Sequence, residues 1–170
     1  MNSLNIPRYS ILFGLLIVLQ IPLLHNWVFF DVGFPFLYIG FLLFLPQQMS
    51  RGWLLLVGFF IGLLMDVFSN TPGMHASATV LVSFVRSRWY NVVFETADRE
   101  LEMTLTSLGW SKLITAFLPL ILLHHLTLFS LENEGFEGVG HLLAKVFWSS
   151  IVSFFLIALI ALGTAPKKKR

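Results

Sequence analysis

The side chain best placed to do chemistry is Asp66, in the run Gly58-Phe-Phe-Ile-Gly62-Leu-Leu-Met-Asp66-Val-Phe-Ser69-Asn-Thr-Pro72-Gly73. At about 100° per residue, Gly58, Gly62, Asp66 and Ser69 fall within roughly an 80° arc of one helix. Two positions without side chains therefore lead into two polar ones along a single stripe. Glycines admit a neighbouring backbone, and an ionisable group in an apolar helix points at a partner or a wet cavity, so the stripe faces protein rather than lipid. Two readings of the carboxylate stay open. It ends its span as a locally hydrogen-bonded interfacial acid, or it contacts another helix or another protein. Pro72 and Gly73 then turn the chain, with Ser69 and Asn70 helping to satisfy the freed carbonyls.

A second polar stripe follows at once, because His75, Thr79, Ser83 and Arg86 recur at helical spacing. Stripes on consecutive helices are expected to face each other. That brings His75 near Asp66, as a charge-assisted pair, as part of a small polar pocket, or as a plain buried hydrogen-bonding group. His124 and His125 are adjacent on a later apolar run just beyond Pro119, which is expected to kink its helix. Neighbouring helical positions diverge by about 100°, so the two imidazoles are poorly placed to chelate one metal ion. No cofactor and no metal is expected. The stretch from Glu132 to His141 is acidic and glycine-rich, a solvated loop or a cation or partner site. The sequence carries no GxSxG, GxxxxGK[ST] or HExxH pattern, and no second acid at a depth matching Asp66, so enzyme activity is not expected. Nor is nucleic-acid binding, since the basic residues form no folded basic face.

The elements that must position these groups follow from composition. Hydrophobic residues make up 56% of the 170 residues and charged residues 12%, against about 25% charged in soluble domains. With a mean hydropathy of +0.81, the chain has too little polar surface for a soluble globule, and one membrane domain is expected. Cysteine is absent, which excludes disulfides and thiolate metal sites. Six apolar runs are predicted to span the bilayer as helices: 9–30, 34–46, 52–68, 74–88, 107–131 and 142–163. The second and fourth fall short of the ~17 residues a span needs unless flanking residues extend them. The first run is longer than a secretory h-region, lacks a small-residue cleavage pattern, and is expected to be retained.

Basic residues give the orientation. With both termini cytoplasmic, every Lys and Arg except Lys145 lies inside, a strong positive-inside pattern. Trp27, Trp53, Trp89, Trp110 and Trp148 fall near predicted span ends, where amphipathic rings prefer the headgroup level. Residues 89–106 mix apolar residues with Glu95, Asp98, Arg99 and Glu102 on one helical face. An amphipathic helix on the cytoplasmic surface, or a structured connection, is expected there. The tail 164–170 ends in Lys167, Lys168, Lys169 and Arg170, which attract anionic lipid headgroups at about 1 kcal/mol per charge.

The segment from Gly58 through Arg86 resembles the rod shape-determining protein MreD family. Gly62, Asp66, Ser69 and Gly73 occupy the family's Gly, Asp, Ser and Gly positions, and Phe147-Trp148-Ser149-Ser150 looks like a weaker second match. The resemblance implies an all-α integral membrane protein of the bacterial inner membrane. Its six-transmembrane-helix bundle would be similar to the energy-coupling-factor transporter S-component fold. It further implies a non-enzymatic scaffold of the cell-wall elongation machinery, supporting rod shape and peptidoglycan synthesis. The partners it implies are an MreC-type single-span periplasmic coiled-coil protein, the wall glycosyltransferase and transpeptidase, and MreB filaments. On this reading Gly58, Gly62, Asp66, Ser69, Gly73 and His75 form a seam that binds or supports the MreC-facing surface. The alternative is a small-molecule, vitamin-like binding subunit of a transporter, with Asp66, His75 and the outer loops lining a pocket.

Overall fold

Long apolar runs bond their own backbone most completely as helices, and helices are what they form. The structure, a computed structural model, describes residues 6–21, 28–29, 32–95, 105–133 and 138–163. Among these, six helices follow in order: α1 (Ile6–Leu19), α2 (Tyr38–Phe44), α3 (Arg51–Ser69), α4 (Met74–Val93), α5 (Leu105–Glu132) and α6 (Val139–Gly163). Three stretches, Arg51–Ser69, Leu108–Glu132 and Val139–Leu162, are long and apolar enough to cross a membrane. The chain is thus an all-helical protein with membrane-spanning character. The basic tail Lys167 to Arg170 and most of the connection after α4 lie outside the described residues.

Three predicted spans differ from the expectation. The first, 9–30, is helical only to residue 21 among the described residues: α1 ends at Leu19, and Val28 and Phe29 lie outside any helix, with Phe29 in an isolated bridge to Gly33. Residues 34–46 are not one helix: 34–37 are non-helical and only seven residues, Tyr38–Phe44, coil. At about 1.5 Å per residue, α2 is about 10 Å long, too short to cross the ~30 Å hydrocarbon layer alone. Pro35 explains the break, since it lacks an N–H and biases the preceding residue away from the helical region. The fourth span is longer than expected, because α4 runs unbroken to Val93 and takes in Trp89, assigned above to the surface connection. Its polar stripe keeps it out of the strongly apolar class.

Pairwise packing follows the chain order from α3 to α6, and the α3–α4 pair is the most extensive. The glycine stripe is what brings that pair together. A Cβ on Gly62 would collide with the backbone of Ala76, 2.6 Å from its nitrogen, and with Thr79 Oγ1. A Cβ on Gly58 would meet Ser83 Oγ and lie 3.1 Å from Thr79 O. The two polar stripes do face each other, as expected. The seam they make, however, is filled by α4 of the same chain. Gly58, Gly62 and Asp66 are buried, so the expectation that this seam faces a second polypeptide is corrected.

Pro119 lies inside α5, but the non-helical backbone of that helix is at Gly109, with φ of +73°. Pro119 has no N–H for Thr115 O, the carbonyl one turn before it. The indole of Trp89 donates to that carbonyl at 3.0 Å, so α4 satisfies the group that the proline releases.

These contacts order the glycines by sensitivity. Gly62→Ala is expected to lower unfolding stability by about 1–3 kcal/mol through overpacking against backbone. Gly58→Ala should cost less, because a serine side chain can rotate away. Gly14→Ala, with open space around it, should cost nothing. Thermal unfolding of the three variants in one detergent checks the order, and equal losses at Gly62 and Gly14 would contradict it.

Candidate functional site

A non-helical stretch inside an apolar bundle has backbone groups with no helical partner, so side chains must bond them. Residues 34–37 have three amide donors, because Pro35 has none. Phe34 N–H donates to Ser149 Oγ at 2.9 Å and Phe36 N–H to Ser153 Oγ at 2.9 Å. Leu37 N–H donates to Gln20 Oε1 at 2.5 Å, while Gln20 Nε2 donates back to Pro35 O at 3.0 Å. Ser149 and Ser153 stand one turn apart on α6 and Gln20 just past α1; all three are fully buried. The opposite end of the short helix is treated alike. Arg86 Nη2 donates to Leu45 O and the Tyr90 hydroxyl donates to Leu43 O at 3.0 Å, with the guanidinium 4.3 Å above the Tyr90 ring. A cation thus sits at the negative end of the α2 dipole.

Tyr38, the first residue of α2, joins three helices. Its hydroxyl lies 2.7 Å from His75 Nδ1 on α4 and 2.6 Å from His124 Nε2 on α5. All three side chains are buried, and Nδ1 of His124 has no hydrogen-bond partner among the described residues. His125 turns the other way. Its Nδ1 is 2.7 Å from Ile121 O, so that nitrogen carries a proton, and its Nε2 lies 3.4 Å from Ser153 Oγ. The Phe36 ring packs between the groups, with its centroid 5.6 Å from His75 and 5.4 Å from His125.

Asp66 holds the nearby turn. Its Oδ1 accepts from His75 N–H at 2.8 Å and Thr71 Oγ1 at 3.1 Å, and its Oδ2 from Ala76 N–H at 3.0 Å. Its backbone carbonyl accepts from the amides of Asn70 and Thr71. The N-cap position of α4 is Gly73, at φ of +81° and without a capping side chain, so a carboxylate from the preceding helix does the capping. The charge suits the positive end of the α4 dipole. Asp66 and His75 are therefore neighbours as expected, but the carboxylate bonds the His75 amide while the imidazole bonds Tyr38. Between this turn and the start of α2 lies a cavity of about 190 Å³, lined by residues including Phe36, Ser69, Thr71, His75, Phe129 and Glu132.

The predicted site residues thus fall into one hairpin with separate duties. Gly58 and Gly62 set the helix spacing, Asp66 caps, Gly73 turns, Ser69 lines the cavity, and His75 joins the buried network. Sequence reasoning missed Gln20, Tyr38 and Ser153. The i, i+4 spacing of Ser149 and Ser153 in an apolar helix was a usable signal. Nothing local marks Tyr38, whose partners lie 37 and 86 residues away.

Removing the Asp66 carboxylate strands two amides and a hydroxyl. Asp66→Ala is expected to cost about 2–4 kcal/mol and Asp66→Asn about half as much, since one acceptor oxygen survives. Thermal unfolding of the isolated chain is the check. An Asp66→Ala variant as stable as the parent would show that the carboxylate holds nothing within the chain.

No family model, curated protein or solved structure matches this chain.

Proposed function

We propose that this chain is a non-enzymatic scaffold of the bacterial cell-wall elongation machinery, an MreD-like inner-membrane protein that binds an MreC-type single-span partner. The observation that carries the reading is the convergence of the motif positions. Gly62 permits the close approach, Asp66 caps α4, Ser69 ends α3 and Gly73 makes the turn, so the pattern behind the resemblance builds one hairpin. In this reading the bundle has six crossings in an S-component-like arrangement, with both termini cytoplasmic and the α3–α4 turn periplasmic. The second crossing is the broken one. The non-helical residues 34–37 lengthen the about 10 Å of α2 toward the thickness of the hydrocarbon layer.

Because α4 fills the glycine seam, the partner-facing surface belongs on the other side of α3. There Phe60 and Val57 join Tyr9, Phe13, Phe41 and Leu45 around an apolar groove of about 440 Å³ between α1, α2 and α3. A partner's transmembrane helix seats in this groove, and the wall glycosyltransferase, transpeptidase and MreB filaments join through that complex. Val57→Trp fills the groove without touching the α3–α4 seam. Co-purification of an MreC-type partner should fall at least tenfold, with the melting temperature within about 3 °C of the parent. Undiminished recovery would place the interface elsewhere.

The cavity of about 190 Å³ beside His75 favours a second reading, a small-molecule binding subunit of a transporter. Asp66 does not line that cavity, so this reading now rests on His75, Glu132 and the surrounding phenylalanines. A thermal-shift screen with vitamins checks it, since a ligand present at about 100 times its Kd stabilises the native state by about 2.7 kcal/mol. No shift across the screen counts against it.

A further inference from the structure

We infer that His75 is a proton-binding site whose occupancy is read by His124 through the Tyr38 hydroxyl. Proton counting carries the argument. Tyr38 has one hydroxyl proton and lies between two ring nitrogens, so it donates to one and accepts from the other. If it donates to His75 Nδ1, then His124 donates from Nε2–H, and His124 Nδ1 is a bare lone pair. If it donates to His124 Nε2, the proton of neutral His124 sits on Nδ1, which has no partner among the described residues. A buried N–H without an acceptor is the costlier defect. The first arrangement is therefore the resting one.

Charging His75 reverses the chain. An imidazolium carries protons on both nitrogens, so His75 Nδ1–H must donate to Tyr38, Tyr38 must turn to donate to His124 Nε2, and the His124 proton must reside on Nδ1. One proton is gained, at His75, and His124 changes tautomer without changing charge. His75 is the member that takes the proton because it lines the cavity beside the α3–α4 turn, as does Glu132 of α5, and its own amide is bonded to the Asp66 carboxylate of α3. His124 lies deeper, against His125 of the same helix, and α2 presents only Tyr38. Lys145 of α6 opposes the uptake, with its Nζ 5.9 Å from the ring centroids of Phe34 and Phe129 at the same end. The cavity's proton activity is thus coupled to a hydrogen-bond direction shared by α2, α4 and α5.

Nitrogen-15 NMR of histidine-labelled protein in lipid nanodiscs, titrated from pH ~8 to ~5 across the ordinary histidine range, tests this directly. At the high end His124 should carry its proton on Nε2. As His75 becomes doubly protonated, the His124 proton should move to Nδ1 with the same midpoint, while His125 keeps Nδ1–H throughout. In Tyr38→Phe, His75 should still titrate with His124 unchanged. Glu132→Gln, at an exposed rim position that leaves the chain of bonds intact, should lower both midpoints together by a few tenths of a pH unit. A Nδ1 proton on His124 at pH ~8, a His75 that never titrates in this range, or separate midpoints for the two residues would each overturn the inference.

Discussion

Backbone amides and carbonyls left without a helical partner in the interior set the terms on which this bundle holds together. The break at 34–37 and the two ends of the short α2 expose such groups in the interior, and Ser149, Ser153, Gln20, Arg86 and Tyr90 bond them. Each buried group left bare costs about 1–3 kcal/mol. Together they would rival the 5–15 kcal/mol by which a domain is typically stable. These side chains are thus a condition for having a broken segment at all. They also fix where α1, α4 and α6 stand around α2, because each must reach a specific backbone atom.

The same logic explains why α4 is the most polar of the long helices. Its first amides are held by Asp66, its His75 is tied to the start of α2, and its Arg86 and Tyr90 close the end of α2. Trp89, between those two, satisfies the carbonyl released by Pro119. Asp66 and Arg86, the two fully enclosed charges among the described residues, each meet a helix end of opposite partial charge. Arg86 also lies over the Tyr90 ring, while its Nε has no hydrogen-bond partner among the described residues. With its polar groups turned inward, α4 leaves the apolar surface of α3 on the far side, where Trp53, Phe60 and Val67 are exposed. In a bilayer that face meets lipid or another apolar helix without penalty.

Much of this was legible in the residues. Runs of apolar residues located the helices, and the stripes through Gly62 and Thr79 correctly placed α3 against α4. One error has a plain physical source. The Gly58 and Gly62 spacing says that a backbone comes close, and the same notch serves a neighbour in the chain or a helix from another protein. Of the roles open to His75, the plain buried hydrogen-bonding one is seen: its imidazole bonds Tyr38, while its amide, well placed at a helix start, bonds Asp66. The second segment was misread as a helix because its hydrophobicity is uniform. Only Pro35 hinted at the break, and one proline does not say where the freed amides will find acceptors.

By itself the sequence determined that this chain is helical and apolar enough to enter a membrane, where its helices lie, and that Asp66 and His75 share a turn. Those properties follow from local periodicity and transfer free energy, which act over a few residues. Only the tertiary structure decided that the glycine seam closes on α4, that the second segment unwinds, and that Tyr38 joins His75 to His124. Those outcomes depend on which distant donor reaches which buried acceptor. Hydrogen bonds are satisfied by geometry in space, and linear spacing does not encode a partner 86 residues away.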